Sequence, residues 1–223
     1  MARTVNPEVH TVKKEAFVEA AMRLMQARGW EQTSVQDVLD QVEASRGAFY
    51  HYFDSKQALL EAVIERLVDA GLGVAEPVVE DQGLPAIPKL TRFFGGIGRW
   101  KTERKALVLE LLKVWISDDN AIVREKFRRS AAARMVPLLA RVVRQGMDEG
   151  TFTATSPEET ARILVMLLLG FQEVATDMFV EAVPYQAARH AFASYNDAFE
   201  RVLGAPRGSI DLADEAVLRE WFG

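Results

Sequence analysis

The 223-residue chain contains no cysteine. That excludes a disulfide scaffold, thiolate metal sites and a cysteine redox sensor, and it fits an intracellular protein. Histidine is scarce too: three residues, at 10, 51 and 190, scattered in sequence. No H-E-x-x-H, P-loop, G-x-G-x-x-G or G-x-S-x-G occurs. Enzyme readings therefore do badly, and no catalytic residue, metal or cofactor is expected. The Gly95–Gly98 cluster has no strand before it, so it does not read as a phosphate loop. Long apolar runs are also missing. The most apolar stretch, Ile163–Phe171, is closely flanked by Arg162 and Glu173, and it falls well short of the about 20 residues that span a bilayer. The opening MARTVNPEVHTVKK lacks the apolar segment of a secretory signal. A soluble, cytoplasmic protein with no membrane partner is expected.

Positive charge is the remaining shortage. The net charge is −5, and residues 1–56 hold seven Lys and Arg against eight Asp and Glu. Nucleic-acid binding depends on cations at phosphates. Bulk charge gives it no support here, so such a reading has to rest on where individual side chains sit.

What is present is helix signal. No strand pattern, internal repeat or low-complexity tract is visible. Asn6-Pro7-Glu8 reads as a helix start, and apolar residues follow at three-four spacing from Val9 to Met25, closed by Gly29. Thr33 with Gln36 reads as a capping box opening a helix of about nine residues, with Val35, Val38, Leu39 and Val42 inward. A turn at Glu43-Ala44 leads to a second short helix capped by Ser45, which buries Phe49 and Phe53. Asp54 with Gln57 signals the next start. Residues 71–88, crowded with Gly and Pro, read as a connector. A helix is expected from Ile87 through Trp100. Each glycine costs roughly 1 kcal/mol in a helix, so Gly95, Gly96 and Gly98 predict a kink, a break or a tight backbone contact. Helices follow at about 104–117 and 119–149, the second containing Pro137 and an apolar set that includes Ile122. Ser156-Pro157-Glu158-Glu159 is the strongest start signal. It opens a helix apolar on nearly every side from Ile163 to Phe171. Such a helix needs cover all round, and a partner subunit supplies it most simply. A further helix over about 184–203 and a short one within Asp211–Phe222 end the chain.

The stretch Thr33–Lys56 supplies the parts of a helix-turn-helix, whose second helix lays its first residues along base edges in the major groove. Thr33, Ser34 and Ser45 put hydroxyls at helix N-termini, where phosphate binds. Arg46 is the single cation on the reading helix (about 45–52) and suits guanine. Gly47 allows close approach, and the Ala48 methyl suits a thymine methyl. Tyr50, His51, Tyr52 and Lys56 offer phosphate donors. Surface exposure without contact is the plain alternative for Tyr50, His51 and Tyr52.

The run SRGAFYHYFDSKQALL, preceded by AFVEAAMRLMQARGWEQTSVQDV, resembles the signature of the TetR family of transcriptional regulators over residues 10–65. EGTFTATSPEETAR is similar to the region before that family's dimerisation helix. The resemblance implies an all-α homodimer, a palindromic operator and a C-terminal domain that often takes a small effector. Two residues depart from the pattern: Glu43 stands at the usual turn glycine, and Ala48 replaces a common small polar Thr.

The expectation is therefore an all-α chain. Residues 1–56 form a three-helix DNA-binding domain, and residues 57–223 a larger helical domain for effector binding and dimerisation through helices about 157–180 and 184–203. The expected function is a ligand-responsive repressor of a DNA operator, with a small apolar or amphipathic effector. The alternative is a helical small-molecule-binding protein or enzyme of the same fold that does not act through DNA. Phe93, Phe94, Trp100, Trp115, Met135, Met166, Phe171, Met178 and Phe179, with Gln172 as a polar contact, are candidates to line the effector cavity. For each aromatic or Met, ordinary core packing is the competing reading.

Overall fold

The structure, a computed structural model, describes residues 7–223, with the backbone alone for residues 7–9 and 118. The expected Asn6 cap lies outside the described residues. Among these residues there are helices and no strand. The helices are α1 (Pro7–Arg28), α2 (Val35–Val42), α3 (Arg46–Tyr52), α4 (Lys56–Gly73), α5 (Glu76–Glu80), α6 (Ala86–Glu103), α7 (Lys105–Ile116), a 3-10 turn at Asp118–Asn120, α8 (Ala121–Asp148), α9 (Pro157–Val180), α10 (Tyr185–Leu203) and α11 (Glu215–Phe222).

The chain forms two compact units. One takes the residues up to Val68 together with Lys105–Phe127; the other takes Asp69–Arg104 with Arg128–Gly223. In the first, Phe17, Phe49 and Phe53 make a buried aromatic triad, with Phe17 edge-on to Phe49 at 5.7 Å and to Phe53 at 6.1 Å. Leu59, Leu60 and Val63 of α4 extend this core. A buried Asn120 donates to the Val114 carbonyl at 2.9 Å and accepts from Gln57 at 2.8 Å, which ties the 3-10 turn to the first turn of α4.

In the second unit, Phe93, Phe94 and Phe199 meet edge to face inside a core that includes Leu139, Val142, Val143, Leu164 and Val165. Gly146 is required there: a Cβ would stand 2.0 Å from the Phe152 ring. Trp221 of α11 donates its indole N–H to Thr102 of α6 at 2.9 Å.

Several local expectations change. The α2 cap is Ser34, not Thr33, and its box partner is Asp37, not Gln36. Thr33 is 1% exposed, and its hydroxyl donates back to the Gly29 carbonyl at 2.8 Å. The α4 start is capped by Ser55, one residue after Asp54, through the Ala58 N–H at 3.0 Å. Part of the expected connector is helical, as α5. The glycine cluster neither breaks nor interrupts α6. Burial of Leu90, Phe93 and Phe94 on this helix offsets the poor propensity, and the expected tight backbone contact is not found: at Gly98 a Cβ would meet the Val217 side chain of α11 at 3.6 Å, an ordinary van der Waals distance, and at Gly96 it would meet nothing within 4 Å. α8 keeps the expected single helix across Pro137. Ile122 is exposed, not inward. At Ser156 the cap forms with the Glu159 N–H, while the Glu159 carboxylate pairs with Arg162.

α9 is longer than the apolar run suggested. By length and composition it could cross a membrane, its best 18-residue window having a mean hydropathy of 1.8. In this fold Leu164, Val165, Leu169 and Phe171 are packed inside the helical body, while Ile163, Met166 and Val174 are exposed.

Candidate nucleic-acid interface

The α2–turn–α3 segment is held by short-range chemistry that can be followed residue by residue. Ser34 accepts from the Asp37 N–H at 3.2 Å, and the Asp37 carboxylate accepts the Ser34 N–H at 2.7 Å. Arg28, at the end of α1, forms an ion pair with the same carboxylate at 2.5 Å. The Arg28 guanidinium, then the Ser34 hydroxyl and N–H, hold the Asp37 carboxyl well below the usual carboxylate range. One carboxylate thus caps α2 and joins it to α1.

The turn closes on Glu43, in the left-handed conformation at φ 52° and ψ 46°. The geometry that favours glycine is kept, and a glutamate bears it. Ser45 then caps α3, accepting from the Ala48 N–H at 3.2 Å. Phe49 is buried, which fixes the roll of this seven-residue helix. Arg46 and Gly47 are exposed at its first turn and Ala48 is half-buried. Arg46 makes no ion pair or hydrogen bond with another described residue. A Cβ on Gly47 would meet nothing closer than the Ser45 hydroxyl at 4.0 Å, so that surface is open. Tyr50 is 51% exposed and rests edge-on against Phe49, and His51 is exposed beside it.

Other candidate contacts are engaged within the protein. Tyr52 is half-buried, 4.6 Å from the His10 ring and 5.8 Å from Phe17. Lys56 donates to the Trp30 carbonyl at 2.9 Å and lies over the Trp30 ring at 4.7 Å. Burial lowers its pKa, against the pull of Glu31 and Asp37. Three contributors escaped the sequence reading. His10 comes within 5.5 Å of His51, although 41 positions separate the two. The Arg28–Asp37 pair spans a turn, so no helical spacing announces it. Trp30 is buried, and its role as acceptor and platform for Lys56 depends on tertiary approach.

The ten candidate cavity residues do not gather at one place. Phe93, Phe94 and Met135 are buried core. Phe171 packs on Phe192 and Tyr195, at 4.5 and 4.0 Å between centroids, and Phe179 faces Trp221 and Phe222. Trp100 carries Arg104 over its ring. Trp115 packs edge-on to Phe127 in the first unit. Met166 is exposed, and Gln172 and Met178 are half-buried. A cleft of about 480 Å³ in the second unit, along α10 and α11, includes none of the ten.

Two short capped helices at a left-handed turn, the second presenting a free arginine at its first turn, define a helix-turn-helix domain on a helical body. Residues 17–63 match the sequence profile of the bacterial regulatory proteins of the tetR family. The HTH-type transcriptional regulator YerO of Bacillus subtilis is 28% identical over 116 residues, covering 52% of this chain and 40% of that one. The chain thus spans less than half the length of that relative. The HTH-type transcriptional regulator EthR of Mycolicibacterium smegmatis is 26% identical over 167 residues, covering 66% of this chain and 76% of its own. Among solved structures, SmeT in complex with triclosan superposes with a TM-score of 0.60 at 20% identity, covering 89% of this chain and 94% of that one. SmeT is the repressor of the Stenotrophomonas maltophilia multidrug efflux pump SmeDEF. Over residues 17–63 the chain is thus similar to the DNA-binding region of tetR-family regulators, and beyond it the solved structures share its fold.

Proposed function

We propose that this regulator is a repressor that binds a palindromic operator as a homodimer and leaves it when a small effector binds. The observation that carries this reading is the free, exposed Arg46 at the capped start of α3, beside exposed Gly47, Tyr50 and His51. Residues 1–56 act as the DNA-binding domain and 57–223 as the effector-binding and dimerisation domain. Thr33, Ser34, Ser45, Arg46, Gly47, Ala48, Tyr50, His51, Tyr52 and Lys56 form the DNA-binding set. Within it, Arg46 meets a base edge, and Ser45, Tyr50 and His51 meet phosphate. Thr33, Tyr52 and Lys56 support the geometry from behind, since their side chains are held by Gly29, His10 and Trp30.

Dimerisation is supported by α9. Ile163, Met166, Gly170 and Val174 fall on one face at helical spacing, and a Cβ on Gly170 would meet nothing within 4 Å. α10 adds the small residues Ala187, Ala191, Ser194 and Ala198 at the same spacing. Symmetry then sets two reading helices roughly 34–36 Å apart, one turn of DNA. The effector reading is supported by SmeT, which takes triclosan in a similar fold. The protein works in the cytoplasm, where its operator is.

A mobility-shift titration against the DNA upstream of its own gene, at stated salt, tests the reading. A retarded complex of two chains per site is expected. No shift at low salt with any part of that DNA would instead favour a helical small-molecule-binding protein that does not act through DNA.

A further inference from the structure

Among the described residues, two buried side-chain oxygens have no hydrogen-bond partner: the hydroxyls of Tyr185 and Ser209. Both belong to one place. Tyr185 lines the cleft along α10 and α11, and Ser209 sits between Gly208 and Ile210, which line it too. Folded proteins rarely leave such groups unmet, and an absent water, ion or ligand is a common reason. The cleft's volume of about 480 Å³ falls within the range of small-molecule sites, about 300–1,000 Å³.

The charges in this cleft are unevenly committed. Every acid has a partner. Buried Glu200 accepts the backbone N–H groups of Gly208 and Ile210, each at 2.9 Å. Asp211 accepts from Asn196 at 3.3 Å and from the Ala213 N–H at 3.4 Å. Asp197 pairs with Arg201 at 2.9 Å and Glu215 with Arg219 at 2.5 Å. Arg219 holds the Glu215 carboxyl below its usual range; Tyr185 adds to that shift, yet its hydroxyl stops short of hydrogen-bond geometry. The two lining arginines are different. Arg189 and Arg207 are exposed and make no ion pair or hydrogen bond with described residues, although Arg189 lies in the field of Glu215. Phe192, Ile210 and Leu218 supply an apolar floor.

We propose that this cleft binds a small carboxylate with an apolar body, its carboxylate held by Arg189 and Arg207 and its body laid on Phe192 and Leu218. A planar guanidinium fork matches a carboxylate bidentately. A cation finds every carboxylate already satisfied. A bare inorganic anion gains nothing from the floor. The site is separate from the cavity first expected around Phe93 and Phe179. Only its consequence for DNA rests on the repressor reading; binding itself does not.

The test is calorimetric titration of the full chain with benzoate, with neutral benzamide and with inorganic phosphate. Benzoate is expected to bind, and benzamide to bind at least about tenfold more weakly, equivalent to about 1.4 kcal/mol. Arg189→Met and Arg207→Met should each weaken benzoate by about tenfold or more while melting at the wild-type temperature. Arg92→Met, outside the cleft, should leave binding unchanged. Failure of benzoate to bind, equal binding of phosphate, or arginine variants that bind as wild type would each overturn the proposal. A separate operator titration with benzoate present distinguishes the two readings: bound benzoate with an unaltered operator affinity keeps the site and refutes its role as the effector.

Discussion

The Lys56 ammonium lies 2.9 Å from the Trp30 carbonyl oxygen and 4.7 Å from the centre of the Trp30 indole. The same carbonyl accepts the Thr33 N–H at 3.1 Å. One backbone oxygen therefore joins the α1–α2 connection to the start of α4, with the reading helix between them in sequence. Lys56→Met keeps the aliphatic stem but loses the hydrogen bond and the cation–π contact. It should cost about 1–2 kcal/mol in urea unfolding, and operator affinity should fall through loss of position. If stability is unchanged while operator affinity drops, Lys56 acts directly on phosphate instead.

Arg46 gives the opposite expectation. With no partner among the described residues, its removal takes nothing from the fold. Arg46→Ala should leave stability within about 0.5 kcal/mol but cost about 1–3 kcal/mol of operator binding and relax preference at one base position. Binding-site selection with both proteins measures this. An unaltered sequence preference would reassign Arg46 to phosphate.

Asp37 predicts an acid response. Its pKa is depressed in the folded protein by Arg28 and then by Ser34. A depressed carboxylate contributes stability that is fully present above the unfolded pKa and is lost as pH falls through the folded one. Asp37→Asn should therefore melt at a lower temperature than wild type at pH 7. The gap should close as the pH drops below the ordinary carboxylate range. Melting curves taken down an acid series check this; a gap independent of pH would assign the loss to packing.

Much of the fold could be read from the sequence because its signals are local. Ser45, Ser156, Pro157, Gly29 and Gly150 act through neighbours within one turn, and three-four apolar spacing set the helices. The misreadings also have local causes. Thr33 and Ser34 are both good caps, and only the burial of Thr33 against Gly29 decides between them. The glycines of α6 look like breakers until the burial of Leu90, Phe93 and Phe94 on the same helix is known, and that burial depends on tertiary packing. The interface shows the same division. The exposure of Arg46 was legible because it stands at a helix start, whereas the engagement of Lys56 with Trp30 and of Tyr52 with His10 depends on tertiary approach.

Glu43 carries a positive φ of 52° without being glycine. A left-handed conformation costs an ordinary residue roughly 1–2 kcal/mol, partly offset in any glycine variant by a more flexible unfolded chain. Glu43→Gly should stabilise the protein by about 0.5–1 kcal/mol and leave the α2–α3 geometry unchanged. Urea unfolding measures the gain, and a loss of stability would show that the Glu43 side chain makes a contribution larger than the backbone cost.

The α9 face tests assembly. Ile163 and Met166 are 50% and 51% exposed on a helix whose other side is core. Large apolar side chains grouped on one helix face mark an interaction surface, and covering the exposed half of each contributes about 1 kcal/mol. The double substitution Ile163→Glu and Met166→Glu places two like charges on each copy, where a twofold axis brings identical surfaces together. The wild type should scatter light as a dimer and the variant as a monomer. Because both positions are exposed in the single chain, the monomer should keep its helical circular dichroism. Operator affinity should fall steeply, since two half-sites would no longer be bound by one body. A variant that remains dimeric would move the interface away from this face.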